Sequence, residues 1–567
     1  MTTTALGDAT ISELRETLRG TAIVPGDADY DSARAVWNGM HDKRPAIIVR
    51  CAGTADVINA VRFARSQGLT IAVRSGGHSI PGFSTVDDGI VIDLSPMKGI
   101  HVDVAGRTAR AEGGATWHDF DHETQAFGLA VTGGLVSSTG IGGFTLGGGL
   151  GHLVRTDGLT CDNLIAADVV TADANLVRAN AEENPDLFWA LRGGGGNFGI
   201  VTSFEYRLHS HGPMIYGGPI FYAGDKTDEL LAVYQDWTAS QPREVNSVLV
   251  LTMAPPLPFL PEDVHGKPVA IVAGCYGGPM EDGEKHYAPL KKFGPPIADL
   301  LGPMPYVALQ SLLDPLWGPG MANYFRGGFL TRLGPDVTAT VRSFLERRPA
   351  GLASELHVHH MGGAVDDVSP DGTAYAGRGV PYVTNIISRW ANPADADENI
   401  TWARDFGAAL EPYSAGQSYV NFIGEAGRER SAYPPATYAR LADVKRRYDP
   451  ENGFPPEPER RPSGDPWLTI CWPRWPPGSR STTAAFPNGR CGRAPGSTSC
   501  AACSEDQRRT VPPSRPRSSP RWPTRWMPAA LPLRARDTSA SSPAVLCRGP
   551  WRRTGWPRAR TSTRPCT

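Results

Sequence analysis

Several classes of protein are excluded by what this 567-residue chain does not contain. No run of apolar residues approaches the roughly 20 needed to cross a bilayer, because Gly, Asp or Arg interrupts every apolar window. The opening stretch, MTTTALGDATISELRETLRG, has neither the basic start nor the apolar core of a secretory signal. A cytoplasmic protein with no membrane contact is therefore the expectation. Charge of one sign is also missing: 56 Lys and Arg stand against 58 Asp and Glu, a net charge of -2, so no global pull toward nucleic acid is expected.

Cysteine is sparse and uneven. Cys51, Cys161 and Cys275 lie in the long first part, and the other six fall after residue 470, which does not make a disulfide framework in a chain without an export signal. Cys500 and Cys503 have the spacing of half a zinc site, but no second pair follows, and no metal is expected. Lys, His and Tyr are all absent from Pro455 onward, where Arg, Pro, Ser and Trp accumulate without helical or strand period. Such a segment should not build a core. A disordered basic tail and an Arg/Trp nucleic-acid arm are two readings of it; a third is a GC-rich gene read in the wrong frame.

Two nucleotide signatures are missing as well. There is neither a GxGxxG turn in a strand-turn-helix unit nor a GxxxxGK[ST] phosphate loop. Three other glycine-rich segments are present. The alternating stretch 70–74 runs into Ser75-Gly76-Gly77-His78-Ser79; the run GIGGFTLGGGLG spans 140–151; and RGGGGNFGIVT spans 192–202 before a strand-like segment. Adjacent glycines let backbone N–H groups approach an anion closely. Three such turns suit one large, doubly phosphorylated ligand, although tight turns in a β-rich domain would read the same way.

Taken in order, these segments, with VWNG at 36–39, RPAIIVRC at 44–51, LTCDNL at 159–164, FWALRGGGGNFGIVT at 188–202 and YDPEN at 448–452, resemble the berberine-bridge-enzyme-like FAD-linked oxidases of the vanillyl-alcohol oxidase superfamily. The resemblance covers about residues 20 to 454. It implies an α+β fold: a two-subdomain PCMH-type FAD-binding domain (1–208, core about 40–211), an inserted α+β substrate domain over the flavin (209–415), and a return to the FAD side (416–454), before the tail at 455–567. It also implies FAD bonded through its 8α carbon to His78. Val136 stands where many relatives carry a second, cysteinyl link, so a single link is implied, and Cys161 is expected to be a buried thiol. The implied FAD-binding set is Arg74, Ser75, Gly76, Gly77, His78, Ser79, Ser138, Thr139, Gly142, Gly143, Asn163, Gly199, Val201 and Asn421. The implied activity is oxidation of a small amine, alcohol or reduced quinone-type natural product with O2 as acceptor, in antibiotic biosynthesis or resistance, by a monomer or homodimer. A flavin-bearing protein that sequesters a drug with little turnover is the alternative.

Residues that act on the substrate must come partly from the inserted domain. Segment 354–365 alternates like a strand, placing Glu355, His357 and His359 on one face. Three titratable groups on a buried face would form a substrate wall; an exposed edge strand is the competing reading. Zinc on His357, His359 and His360 ranks third. Tyr419, in the segment SYVNF, matches a family tyrosine that acts as base or hydrogen-bond donor, with Asn421 near the ring. Relatives commonly continue past DPEN with Phe-Arg-x-Asn-Gln-Asn, whereas this chain reads FPPEPE at 454–459. One extra C after TTC in TTC CGC CTG AAC CAG AAC gives TTC CCG CCT GAA CCA GAA, which encodes those six residues. Resequencing this codon is expected to find an unshifted frame; a verified insertion with a stable long product would sink the idea of an artefact.

Overall fold

A computed structural model describes residues 6–350, 354–425 and 427–454. The tail from Pro455, with its frame reading, its nucleic-acid reading and the Cys500/Cys503 pair, lies outside the described residues.

Three large sheets follow one another along the chain, beside a two-stranded pairing of Leu129–Ala130 with His209–Ser210. In the first, Ile47–Arg50, Ile90–Asp93 and Ile71–Arg74 pair parallel, and Thr21–Ile23 joins antiparallel at one edge. Their branched apolar runs suit strands covered on both faces. Helix Thr54–Gln67 makes the crossover from Ile47–Arg50 to Ile71–Arg74; Val57, Ala60, Val61 and Ala64 recur at helical spacing and are fully buried. Gly68, at φ 62°, stops the helix in the left-handed conformation that glycine adopts without strain. The second sheet is antiparallel, in the order Ile100–Asp103, Thr108–Glu112, Ile200–Arg207, Leu164–Val170, Leu176–Asn180.

The third sheet has eight antiparallel strands built from residues 214–390. Helices Thr227–Ala239, Pro335–Glu346 and Ala396–Leu410 share one large core with its strands, including Leu356, Val358 and Ile386. Strand Glu355–His360 pairs with Val245–Met253 on one side and Tyr382–Trp390 on the other, and every residue in it is buried. This overturns the edge-strand reading of the segment. Leu356 and Val358 face the helices, as does His360, whose ring lies 6.4 Å from Trp237. The period of two that puts them there turns Glu355, His357 and His359 the other way, so the three histidines do not converge as a metal site would require. No helix among the described residues is long and apolar enough to cross a membrane.

Helix Trp117–Gln125 meets Gln310, from the inserted part of the chain, at a buried carboxyl. Asp121, on helix Trp117–Gln125, accepts a hydrogen bond from Gln310 Nε2 (3.0 Å), while its Oδ1 has no partner among the described residues. Burial raises its pKa to about 7. A carboxyl whose folded pKa lies above its unfolded value favours the folded state while protonated, and that contribution is lost as pH climbs from about 4 to about 7. Asp121→Asn is expected to flatten this dependence, raising Tm at pH 8 with little effect at pH 4; an equal shift at both pH values would refute the assignment.

The chain returns through helix Pro435–Tyr448, whose Leu441 and Val444 pack with Leu187 and Leu191. Buried Lys445 donates to Asp449 Oδ2 (2.5 Å), to the carbonyl of Asn197 (2.7 Å) in the third glycine segment and to that of Phe454 (2.8 Å). Asp449 in turn accepts from the N–H groups of Gly453 and Phe454. The YDPEN landmark thus fastens Phe454 into the core of the first subdomain, beside Ile71, Leu94 and Ile200. Asp449→Ala strands a buried ammonium and is expected to cost about 3–5 kcal/mol, read as a lower urea midpoint at unchanged slope.

Candidate active site

A cavity of about 680 Å3 is bounded by all three glycine segments and by the open face of the third sheet. Its size lies within the roughly 300–1,000 Å3 of small-molecule and cofactor sites. The loop after strand Ile71–Arg74 supplies Ser75 to Ser79; segment 139–143 and segment 194–201 supply the second and third turns; Phe325, His357, His359, Asn385 and Ile387 line it from the sheet. Tyr419 to Phe422 and Phe454 complete the wall.

The glycines are there because two loops touch. A Cβ added to Gly76 would lie 2.3 Å from the backbone nitrogen of Gly140, and one added to Gly140 would lie 2.2 Å from that of Gly76. At Gly143, by contrast, a Cβ would meet nothing within 4 Å, which leaves bare backbone facing the cavity. Ser75 Oγ is buried at this wall without a partner among the described residues. Exposed backbone beside an orphaned hydroxyl suits a ligand rich in phosphate and hydroxyl acceptors, as FAD is.

His78 is held on both edges and one face. Its Nε2 lies 3.1 Å from Ser138 Oγ and its Nδ1 3.4 Å from Thr139 Oγ, and its ring stacks on Trp37 at 4.7 Å and 17°. Burial lowers its pKa to about 4, so the ring is neutral at pH 7 and one nitrogen keeps a free electron pair. Val136 lines the same cavity. Cys161 is fully buried elsewhere, and burial pushes its thiol well above the ordinary value.

The remaining residues of the proposed FAD set divide in two. Ser79, Thr139, Gly142, Gly199, Val201 and Asn421 line the cavity. Arg74 does not: its guanidinium donates to Asp93 (2.8 Å) across neighbouring parallel strands. Asn163 also stands back, donating to the carbonyls of Asp157 and Leu159 and pairing with His209. Ser138 reaches the cavity only through His78.

On the sheet side, His357 Nε2 lies 3.0 Å from Glu355 Oε1. Donation of the Nε2 proton to the carboxylate leaves Nδ1, which has no hydrogen bond to the described residues, as an acceptor on a cavity-lining ring. Glu355 does not line the cavity. Burial favours its neutral form, but the attraction of His357 once that ring is protonated, with help from Thr252 and Arg389, outweighs it and holds the carboxyl below the usual glutamate range. His359 is neutral, lowered to about 3 first by burial and then by His357 and His152. Tyr419 is not in a strand; it precedes the short turn Val420–Phe422. Its phenol oxygen accepts from Gly149 N–H and Asn421 Nδ2 (2.9 Å each), and burial raises its pKa.

Sequence reasoning did not single out Trp317, Phe325 or Asn385, and it met Trp37 only as part of the VWNG motif. Only Asn385 left a usable signal: a lone amide in the largely buried strand Tyr382–Trp390, in register with His357.

Residues 45–180 match a family described as FAD binding domain. An FAD-linked oxidoreductase of Dictyostelium discoideum is 33% identical over 453 residues, 78% of this chain and 95% of that protein. The (R)-6-hydroxynicotine oxidase of Paenarthrobacter nicotinovorans is 32% identical over 451 residues, 77% of this chain and 95% of the enzyme. The crystal structure of 6-hydroxy-D-nicotine oxidase from Arthrobacter nicotinovorans superposes with a TM-score of 0.69 at 29% identity, covering 77% of this chain and 96% of that one. A berberine-bridge-enzyme-like protein of Physcomitrella patens, at 23% identity and a TM-score of 0.70, shares the fold.

Proposed function

Because the chain belongs to the FAD-linked oxidoreductases, we propose that it oxidises a small organic molecule with an FAD carried on His78 and that O2 takes up the electrons. The observation that carries this reading is His78 itself: a neutral imidazole at the cavity wall, stacked on Trp37 and gripped by Ser138 and Thr139. Ser75 and the bare backbone at Gly143 would hold the polar part of the cofactor. FAD, when bound, supplies the two-electron acceptor.

The chain's own residues handle the proton. His357 Nδ1 is the acceptor for a substrate O–H or N–H proton, and Glu355 orients the ring and stabilises the charge it acquires. Tyr419 is a poor base, since its phenol is buried and its pKa is raised; its oxygen instead anchors Gly149 and Asn421. Peroxide release coupled to bleaching of the flavin absorbance is the direct test. Stoichiometric ligand binding with neither signal would replace the oxidase with a sequestering protein.

A further inference from the structure

Five rings close a circuit at the sheet end of the cavity, and all five line it. Centroids are 6.1 Å apart from Trp317 to His357, 6.1 Å from His357 to His359, 5.7 Å from His359 to Phe422, 6.3 Å from Phe422 to Phe325 and 6.1 Å from Phe325 back to Trp317. These spacings fall in the range at which rings attract one another. Ile387 extends the apolar wall.

Within the same end, few polar atoms are left over, and they lack partners. Asn385 Oδ1 and His359 Nε2 are buried with no hydrogen bond among the described residues, and His357 Nδ1 is uncommitted. Asn385 sits opposite His357 in register, and His359 is two residues further along. The three groups therefore share one patch, within about 5–7 Å of each other by strand geometry. Buried polar atoms without partners are costly, and a ligand that supplies the missing hydrogens removes the cost. Charge is absent here: among the described lining residues only Arg430 is permanently charged, and it lies over the ring of Tyr438.

We propose that the substrate is an uncharged planar aromatic molecule whose ring sits inside this circuit and whose edge offers O–H or N–H donors to Asn385, His357 and His359. The proposal rests on the oxidase reading and narrows it. A protonated amine would find no carboxylate on the wall. A polyol would bury more hydroxyls than three groups can satisfy.

The test uses the flavin-loaded protein and two probes of one ring size, resorcinol and 1,3-dimethoxybenzene, titrated by calorimetry without oxygen, with cellobiose and benzylamine beside them. Resorcinol is expected to bind at least about tenfold more tightly than its dimethyl ether. In Asn385→Leu, or His359→Leu should the first variant not fold, that preference should shrink below about threefold. Equal binding of the two arenes, or tighter binding of cellobiose or benzylamine, overturns the proposal. A chain that retains no flavin would instead overturn the oxidase reading.

Discussion

His357→Gln is expected to lower kcat/KM by about 10²–10⁴-fold, the range for loss of a positioned general base. The ring is the cavity-lining member of a pair whose second member, Glu355, is buried behind it at 3.0 Å. Gln keeps the volume and a hydrogen bond to Glu355 but offers no basic nitrogen. Flavin content and Tm should therefore stay close to the parent, which separates a chemical defect from a folding one. Glu355→Gln should fall between the two, because it keeps the base and removes the charge that stabilises it after proton transfer. The competing assignment gives the base role to Tyr419. Tyr419→Phe removes the oxygen that accepts from Gly149 and Asn421, and its loss should be smaller and accompanied by a lower Tm. If Tyr419→Phe proves the more damaging change at unaltered Tm, the His357 assignment is wrong.

His78→Ala should abolish retention of flavin by the unfolded chain. After acid precipitation the parent polypeptide is expected to stay yellow and fluorescent and to carry the mass of one FAD, whereas the variant should carry none. Folded His78→Ala can still hold FAD reversibly, since the glycine turns and Ser75 remain, so the folded spectrum alone does not discriminate. Val136 lines the cavity and carries no thiol, and for that reason no residual covalent fraction is expected in the variant. Flavin that washes from the unfolded parent would overturn the link, and flavin that stays on the unfolded variant would mean a second anchor.

How much of this was legible in sequence depends on what each residue answers to. The glycine turns could be read because close approach admits no substitute: Gly76 and Gly140 meet backbone to backbone. The face carrying His357 could be read because strand period is two, whatever the sheet. Its burial could not, since whether Glu355–His360 lies at an edge or in the middle is decided by Val245–Met253, a hundred residues earlier. Arg74 stands inside the most recognisable motif of the chain yet serves Asp93; its neighbours in sequence and its partner in space carry different messages. Trp317 and Phe325 gave no signal, because an aromatic residue that walls a ligand and one that fills a core look alike until the circuit around the cavity is drawn.

The placing of Phe454 has a consequence for synthesis. It belongs to one buried cluster with Ile71, Leu94 and Leu14, residues from the beginning of the chain, and also lines the cavity. On the ribosome the first subdomain therefore waits with an unfilled gap in its core while residues 95–454 are made, roughly 20 to 70 s at about 5–20 residues per second. The described cavity gains its last wall only when Phe454 has emerged, and FAD taken up on the nascent chain meets an unfinished site until then.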